Sequence, residues 1–358
     1  MSTAGPAVGV VVINYNGGER ILRVLDALQR QHHALAEIIV VDNRSTDGSP
    51  DQIRAGFAGV RVLALEDNVG LSVARNRGLV ALGTPLALLL DHDVYVDEHC
   101  IGLMVSAFVA HRPTVVCPRI RLVPERDIVQ VEGAAPHFVG TLALRHGFAP
   151  IRTLSTSAGE VGGCIGACML LDREAAIAAG GFEELFFFYN EDLEFSLRLR
   201  ALGHRFWCDP AAEVYHERSA GTPGLSFRGH EEYPQRRAYM TMRNRLVTML
   251  IHYRLRTLLL LLPVLVVYEL ASFVAIAKKG RAAAWFQAWG WLLCHPAMIA
   301  ARRRRMQSLR RVDDRVLLIG GPLPLAPGFV TGRFEAWLVH ALSYAMNSYW
   351  AVARRWVG

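Results

Sequence analysis

PLALLLDHD, residues 85–93, sets an unbroken apolar run, Leu86 to Leu90, against two aspartates one residue apart. A strand with one wet face alternates polar and apolar side chains, whereas a strand covered on both faces is apolar throughout. The run therefore predicts a central strand of a parallel sheet, and Asp91 and Asp93 predict that its end is an edge where polar groups gather. The neighbouring sequence agrees. VGVVVIN (8–14), EIIVVDN (37–43), VRVLAL (60–65) and TVVCPRI (114–120) are further short apolar runs. Between them, GERILRVLDALQRQ (18–31) and GLSVARNRGLVAL (70–82) carry helical spacing, and RSTDGS (44–49) can open another helix. Strand alternating with helix is the pattern of an α/β sheet covered on both faces.

In such open sheets ligands bind beyond the carboxyl ends of the strands. Asn14, Asp42 and Asp91 each stand where an apolar run stops, so adjacent strands would bring the three to one edge. No GxGxxG follows the first run, so a dinucleotide fingerprint is missing. Residues 120–160 carry no readable period. VGGCIGACMLLDREAAIAAGGF (161–182) reads as a strand into a short helix ending at Gly180-Gly181. In FFFYNEDLEFSLRLRALGHRFWCDP (186–210) the alternation of Leu193, Phe195, Leu197 and Leu199 scores as a strand. Asn190 as N-cap, two acids in the first turn and Gly203 as a stop favour a helix. EVYHE (213–217) reads as a last short strand.

The charge is unevenly spread. The chain has a net charge of +7, but residues 236–311 hold 15 Lys or Arg against one acid, Glu269. That window is +14 and the remainder is −7. Basicity confined to one segment argues against a general nucleic-acid binder. The six cysteines contain no CxxC and are expected as buried, reduced thiols of a cytoplasmic protein. MSTAGPAVGVVVINYN has no basic start followed by a long apolar run, and no signal peptide is read there.

Asp91 and Asp93, at i and i+2 of an extended chain, would point to the same side. At the mouth of a sheet such a pair can hold Mg²⁺ or Mn²⁺, which take few protein carboxylates and complete their shells with phosphate oxygens and water. Glu191 and Asp192 are either an acid pair favoured by the helix dipole or the source of a general base. His216, near the end of a strand, is either structural or an imidazole ligand, and would then suit Mn²⁺ better than Mg²⁺.

VVVINYN, IIVVDNRSTDGS, NVGLSVARNRG, LLLDHD, GACMLLDREA, GGFEELFFFYNEDLEFSLRLRALG and VYH occur in the order found in family-two inverting glycosyltransferases of the GT-A fold. The resemblance extends over residues 8–250 and is closest to bacterial rhamnosyltransferases and related enzymes of cell-surface glycan assembly. It implies a Rossmann-like GT-A domain over residues 1–250 that binds a nucleotide-sugar, and a helix at 190–203. It also implies roles. Asn14 and Asp42 would line the pocket for base and ribose. Arg75 and Asn76 would lie near the nucleotide or its phosphates. Asp91 would hold the ribose or a metal-bound water, Asp93 would bind the metal, His216 would complete the metal or diphosphate site, and Asp192 would be the catalytic base. The QxxRW motif of processive synthases is absent, since Gln235 is followed by Arg236, Arg237, Ala238 and Tyr239. That argues for adding one or a few sugars.

Residues 251–358 read as a helical, basic, membrane-associated region. Thr257 to Ala277 is long enough to cross a bilayer, but Pro263 and Glu269 interrupt it and both flanks are basic. Trp285, Trp289 and Trp291 followed by Arg302 to Arg305 suit an interface with anionic lipid. The reading favours helices lying in one leaflet at the cytoplasmic face, over spanning helices or a soluble face for a homo-oligomer. A lipid-linked glycan then becomes the expected acceptor, and a dTDP- or UDP-sugar the expected donor. Two other readings remain: a nucleotidyltransferase on a related α/β fold, for which NYNGGER gives a faint glycine-rich loop, and a non-catalytic membrane partner, against which Asp93 and Asp192 both stand.

Overall fold

The computed structural model describes residues 5–155, 157–217, 234–324 and 332–357 of the 358. The opening residues 1–4, part of the stretch in which no signal peptide is read, lie outside the described residues. In chain order the strands are β1 (Val8–Asn14), β2 (Leu35–Asp42), β3 (Val60–Ala64), β4 (Leu86–Asp91), β5 (Val94–Val96), β6 (Val115–Val123), β7 (Ile128–Val131), β8 (Ala134–His137), β9 (Thr141–Leu144), β10 (Ala149–Pro150), β11 (Gly159–Val161), β12 (Cys168–Asp172) and β13 (Phe206–Glu217). The helices are α1 (Glu19–Gln29), α2 (Ser49–Gly56), α3 (Leu71–Ala81), α4 (Cys100–His111), α5 (Arg173–Ala178), α6 (Glu191–Ala201), α7 (Gln235–His252), α8 (Leu255–Lys278), α9 (Ala282–Cys294), α10 (Pro296–Leu309), α11 (Asp314–Leu317) and α12 (Arg333–Ala353).

The described chain divides into two compact units. The first comprises Met1–Ala134, Arg145–Phe195 and His204–Ser219; the second comprises Ala135–Leu144, Ser196–Gly203 and Ala220–Gly358. The first unit is built on a mixed sheet whose order runs β10-β7-β6-β12-β4-β1-β2-β3, with β13 pairing β6, β5 and β11. Strands β4, β1, β2 and β3 are parallel neighbours. Val10, Val11, Val12 and Leu86 to Leu90 are fully or almost fully buried, as expected of strands covered on both faces. Register then fixes the edge: Asn14 pairs with Asp42, and Ile13 with Asp91. β12 enters antiparallel between β4 and β6, so the sheet is mixed on that side.

One element differs from the sequence reading, and a second bears out its preference for a helix over a strand. β13 is twelve residues long, not a short EVYHE strand, because an irregularity in its pairing with β6 between Asp209 and Glu213 carries it past Pro210. α6 is a helix from Glu191, so the acids and the stop at Gly203 prevail over the alternating leucines. All six cysteines are free; five are buried as expected, and Cys294 is exposed.

The second unit is helical. α7 packs on α9 and α10, and α8 packs on α9 and α12. The carbonyls at the C-terminal end of α7 are satisfied by α10: Arg303 donates to Leu250 and Tyr253, and Gln307 donates to Ile251 and His252. Free C-terminal carbonyls need such partners, and a cation there suits the helix dipole. One member of the Arg302 to Arg305 cluster is therefore turned inward.

Candidate active site

Asp91 ends β4. The chain does not stay extended after it, because His92 and Asp93 form a turn that leads into β5. β5 pairs antiparallel with β13, His216 opposite Val94, and Glu217 N donates to Asp93 O at 2.8 Å. Sheet pairing thus brings His216 to Asp93 from 123 positions away, with His216 Nε2 3.5 Å from Asp93 Oδ1. The other ring nitrogen, Nδ1, lies 2.7 Å from Gln130 Oε1 and donates to it. A neutral ring held in that tautomer turns its Nε2 lone pair toward a carboxylate oxygen, and two acceptors then face each other. A shared cation relieves that opposition, and a second partner on the far ring nitrogen is the usual companion of a metal-bound imidazole. The pair fits a divalent ion. Among the described residues no group of three or more His, Cys, Asp or Glu side chains is placed to hold a metal. The protein's share of a shell here is small, as Mg²⁺ and Mn²⁺ sites that lean on phosphate oxygens allow.

Arg75, from α3, sits at the centre of the acidic residues and is 1% exposed. Its Nη2 lies 3.0 Å from Asp91 Oδ1, its Nη1 3.4 Å from Glu191 Oε1, and Nη2 also donates to the Gly166 carbonyl at 2.7 Å. A Cβ at Gly166 would fall 2.4 Å from Nη1, so only glycine lets the guanidinium lie on that loop. One buried cation thereby ties the end of β4 to the first turn of α6. Asp192, next on α6, accepts from Leu193 N at 2.8 Å. α6 begins after Tyr189 and Asn190, both left-handed, with φ of 67° and 63°. Asparagine tolerates that region, whereas tyrosine is strained there.

Burial sets the ionisation of this group. It pushes the Asp192 carboxyl above the ordinary range, against the pull of the Leu193 and Gly166 backbone and the Arg75 charge. Glu191 is raised by burial and by the neighbouring Asp192, with Arg75 opposing. Asp91 is raised by burial, lowered by Arg75 and raised again by Asp93. Desolvated carboxyls favour the neutral form, and a carboxylate with a raised pKa is a stronger proton acceptor.

The other residues singled out in the sequence fall into two groups. Asn14 is fully buried, and its Nδ2 lies 2.8 Å from Asp42 Oδ1, 2.9 Å from Ser49 Oγ and 3.1 Å from Ser45 Oγ. Asp42 Oδ2 accepts from Ser45 N at 3.1 Å. Asn14 and Asp42 thus brace the loop after β2 from below. Asn76 donates to the Phe182 carbonyl and to Glu184, and accepts from Phe182 N. Its amide is committed to the loop before α6. The structure therefore gathers Arg75, Asp91, Asp93, Asp192 and His216 into one charge cluster, and leaves Asn14, Asp42 and Asn76 as supports of the loops beside it. Sequence reading passed over Glu191 as a partner of Arg75, Gly166, and Gln130. A lone glutamine in the apolar strand β7, IVQV, was the signal for the last.

Residues 9–179 match the sequence model of the family described as Glycosyl transferase family 2. Among curated relatives, N-acetylglucosaminyl-diphospho-decaprenol L-rhamnosyltransferase of Mycobacterium tuberculosis is 27% identical over 236 residues, 60% of this chain and 76% of that protein. Succinoglycan biosynthesis protein ExoA of Rhizobium meliloti is 30% identical over 201 residues, 52% of this chain and 56% of that one. Among solved structures, GalNAc-T7 with UDP, GalNAc and Mn²⁺ superposes with a TM-score of 0.57 at 18% identity, covering 70% of this chain and about half, 48%, of its own. S. aureus TarS 1–349 with UDP-GlcNAc gives 0.55 at 17% identity, covering 98% and 90%. Residues 9–179 form a Glycosyl transferase family 2 domain, and the fold is the GT-A fold of these solved structures.

Proposed function

We propose that the chain moves one sugar, with inversion, from a dTDP- or UDP-sugar to a hydroxyl of a lipid-linked glycan during surface polysaccharide assembly, and that the catalytic domain lies within residues 1–250. L-Rhamnose is the leading donor sugar, because the mycobacterial relative is named for its transfer to a diphospho-decaprenol-linked acceptor. The observation that carries the reading is Arg75, whose ion pairs with Asp91 and Glu191 join the β4 edge to the acid pair of α6. An inverting displacement needs that juxtaposition of a leaving-group site and a proton acceptor.

Asp192 takes the proton from the acceptor hydroxyl as that oxygen attacks C1 of the sugar. General-base help of this kind is worth roughly 10²- to 10⁴-fold. Its raised pKa strengthens its affinity for the proton at the moment of transfer. Arg75 holds Asp91 and Glu191 in place and keeps part of the negative charge of the cluster neutralised. Asp93 and His216 would hold Mg²⁺ or Mn²⁺, which when bound supplies Lewis-acid stabilisation of the departing diphosphate. Gln130 keeps the His216 ring in the ligating tautomer. Asn14 and Asp42 set the loop against which base and ribose would lie, and Asn76 fixes the loop that leads to Asp192. A membrane-linked acceptor favours placement at the cytoplasmic membrane face, beside the lipid that carries the glycan.

The test is a panel of nucleotide-sugars offered to the full-length protein with Mg²⁺ or Mn²⁺ and a polyprenyl-diphosphate-linked N-acetylglucosamine acceptor. Release of nucleoside diphosphate with one donor, and an inverted anomeric centre in the product, is the expected result. Release of inorganic pyrophosphate would instead establish nucleotidyl transfer.

A further inference from the structure

We infer that α8 lies flat in one anionic lipid leaflet, as a monotopic anchor, and does not cross the membrane. This concerns the helical unit alone and stands apart from the transfer chemistry. α8 is apolar enough to span: it has 24 residues, a mean hydropathy of 2.4 in its best window, and 22% of that window buried. Its exposed side chains are not spread around the helix. Leu255, Leu259, Leu262, Val266, Val267, Leu270 and Val274 are 46–62% exposed. At 3.6 residues per turn they fall within an arc of about 140°. Thr257, Leu261, Val264, Leu265, Glu269 and Ile276 are buried on the other side. A spanning helix needs apolar cover all round or a packed partner within the hydrocarbon.

The partner here excludes that placement. Glu269, the one acid within α8, is ion-paired with Arg245 of α7. α7 carries four arginines in its 18 residues, Arg236, Arg237, Arg243 and Arg245. Taking α8 through the bilayer would draw this arginine-rich helix in with it, against the high cost of cations in hydrocarbon. Lying flat instead puts only the aliphatic face into the acyl region and leaves α7 on the aqueous side. The ends agree: Arg254 and Arg256 stand on either side of Leu255 at the start of the apolar face, and Lys278, Lys279 and Arg281 lie at its end. A flat helix holds both basic ends at the headgroup level of one leaflet, where each cation is attracted by anionic lipid.

α12 packs along α8, with Tyr349 Oη donating to the Leu260 carbonyl and Lys278 paired with Glu335. It has its own exposed apolar residues, Phe334, Trp337, Leu338, Tyr344 and Val352. Tryptophan and tyrosine favour the membrane–water boundary. An aliphatic stripe with cations at both ends and the Trp337 indole on the helix beside it matches a lipid surface better than a protein partner, whose contact core would be poor in flanking like charge.

Two measurements on the full chain test this. In flotation, wild type is expected to rise with vesicles of phosphatidylcholine and phosphatidylglycerol, and to stay bound after a high-salt wash. Leu259→Glu/Val266→Glu should lower that partition roughly tenfold or more, with circular dichroism unchanged. Equal flotation of the double variant, or a wild-type chain that stays with the aqueous fraction as a dimer, would overturn the inference. The second measurement needs no disruptive substitution. In a Cys294→Ser background, Arg256→Cys and Lys279→Cys are labelled in cells with a membrane-impermeant maleimide. Both positions should react only after the cells are opened. Reaction of one of them in intact cells would show that α8 crosses.

Discussion

Replacing Arg75 with methionine removes the cation between Asp91 and Glu191 while keeping most of the side-chain volume. Arg75 is 1% exposed, and its pairs lie at 3.0 and 3.4 Å. Loss of one partner from a buried ion pair leaves the other charge uncompensated and costs about 3–5 kcal/mol. The Gly166 carbonyl also loses its 2.7 Å donor, adding about 1 kcal/mol. A local destabilisation of about 4–6 kcal/mol is expected, before the two carboxyls relieve part of it by taking up protons. Because the chain has two units, global melting is a poor gauge. Hydrogen exchange of peptides from α3, β4 and α6, followed across a urea series, reports the relevant unit. Arg75→Met/Glu191→Gln should recover about 1–3 kcal/mol, because the second change removes one of the stranded charges. A loss below about 1 kcal/mol in the single variant, or no recovery in the double one, would refute the bridging role of Arg75.

Asp192→Asn should retain donor binding by calorimetry and lose roughly 10²- to 10⁴-fold in transfer rate; a near wild-type rate would remove Asp192 from the chemistry. As the proposed base, Asp192 would act deprotonated, and burial raises its pKa, so kcat/KM should fall with decreasing pH along a limb that lies above the ~3.9 of an exposed aspartate. A flat profile down to that value would contradict this. Asp93→Asn should abolish Mn²⁺-dependent donor binding, and Gln130→Leu, which frees the His216 ring, should weaken Mn²⁺ affinity by roughly 10- to 100-fold in a titration.

The α/β layer was readable because fully buried strands must be apolar at every position, as in Leu86 to Leu90. The ends of those strands located Asn14, Asp42 and Asp91 before any coordinate. What could not be read was pairing across long separations. His216 meets Asp93 only because β13 runs beside β5, and nothing local to either residue announces it. Arg75 carried the same difficulty: within α3 it looks like one more helix arginine, and its burial depends on Gly166, 91 positions away. The alternating pattern of residues 193–199 pointed the wrong way, since α6 is buried on several faces and periodicity then loses its meaning. In α8, Glu269 looked like an interruption of an apolar helix, yet it is turned toward Arg245 and leaves the opposite face unbroken.

The two left-handed residues before α6, Tyr189 and Asn190, bear on how this enzyme can drift. A helix whose start is pinned by a kink cannot absorb an inserted or deleted residue by sliding. One such change would rotate every following side chain by about 100° and carry Asp192 off its target. The peptide between Gly181 and Glu191 should consequently keep a constant length among working homologues.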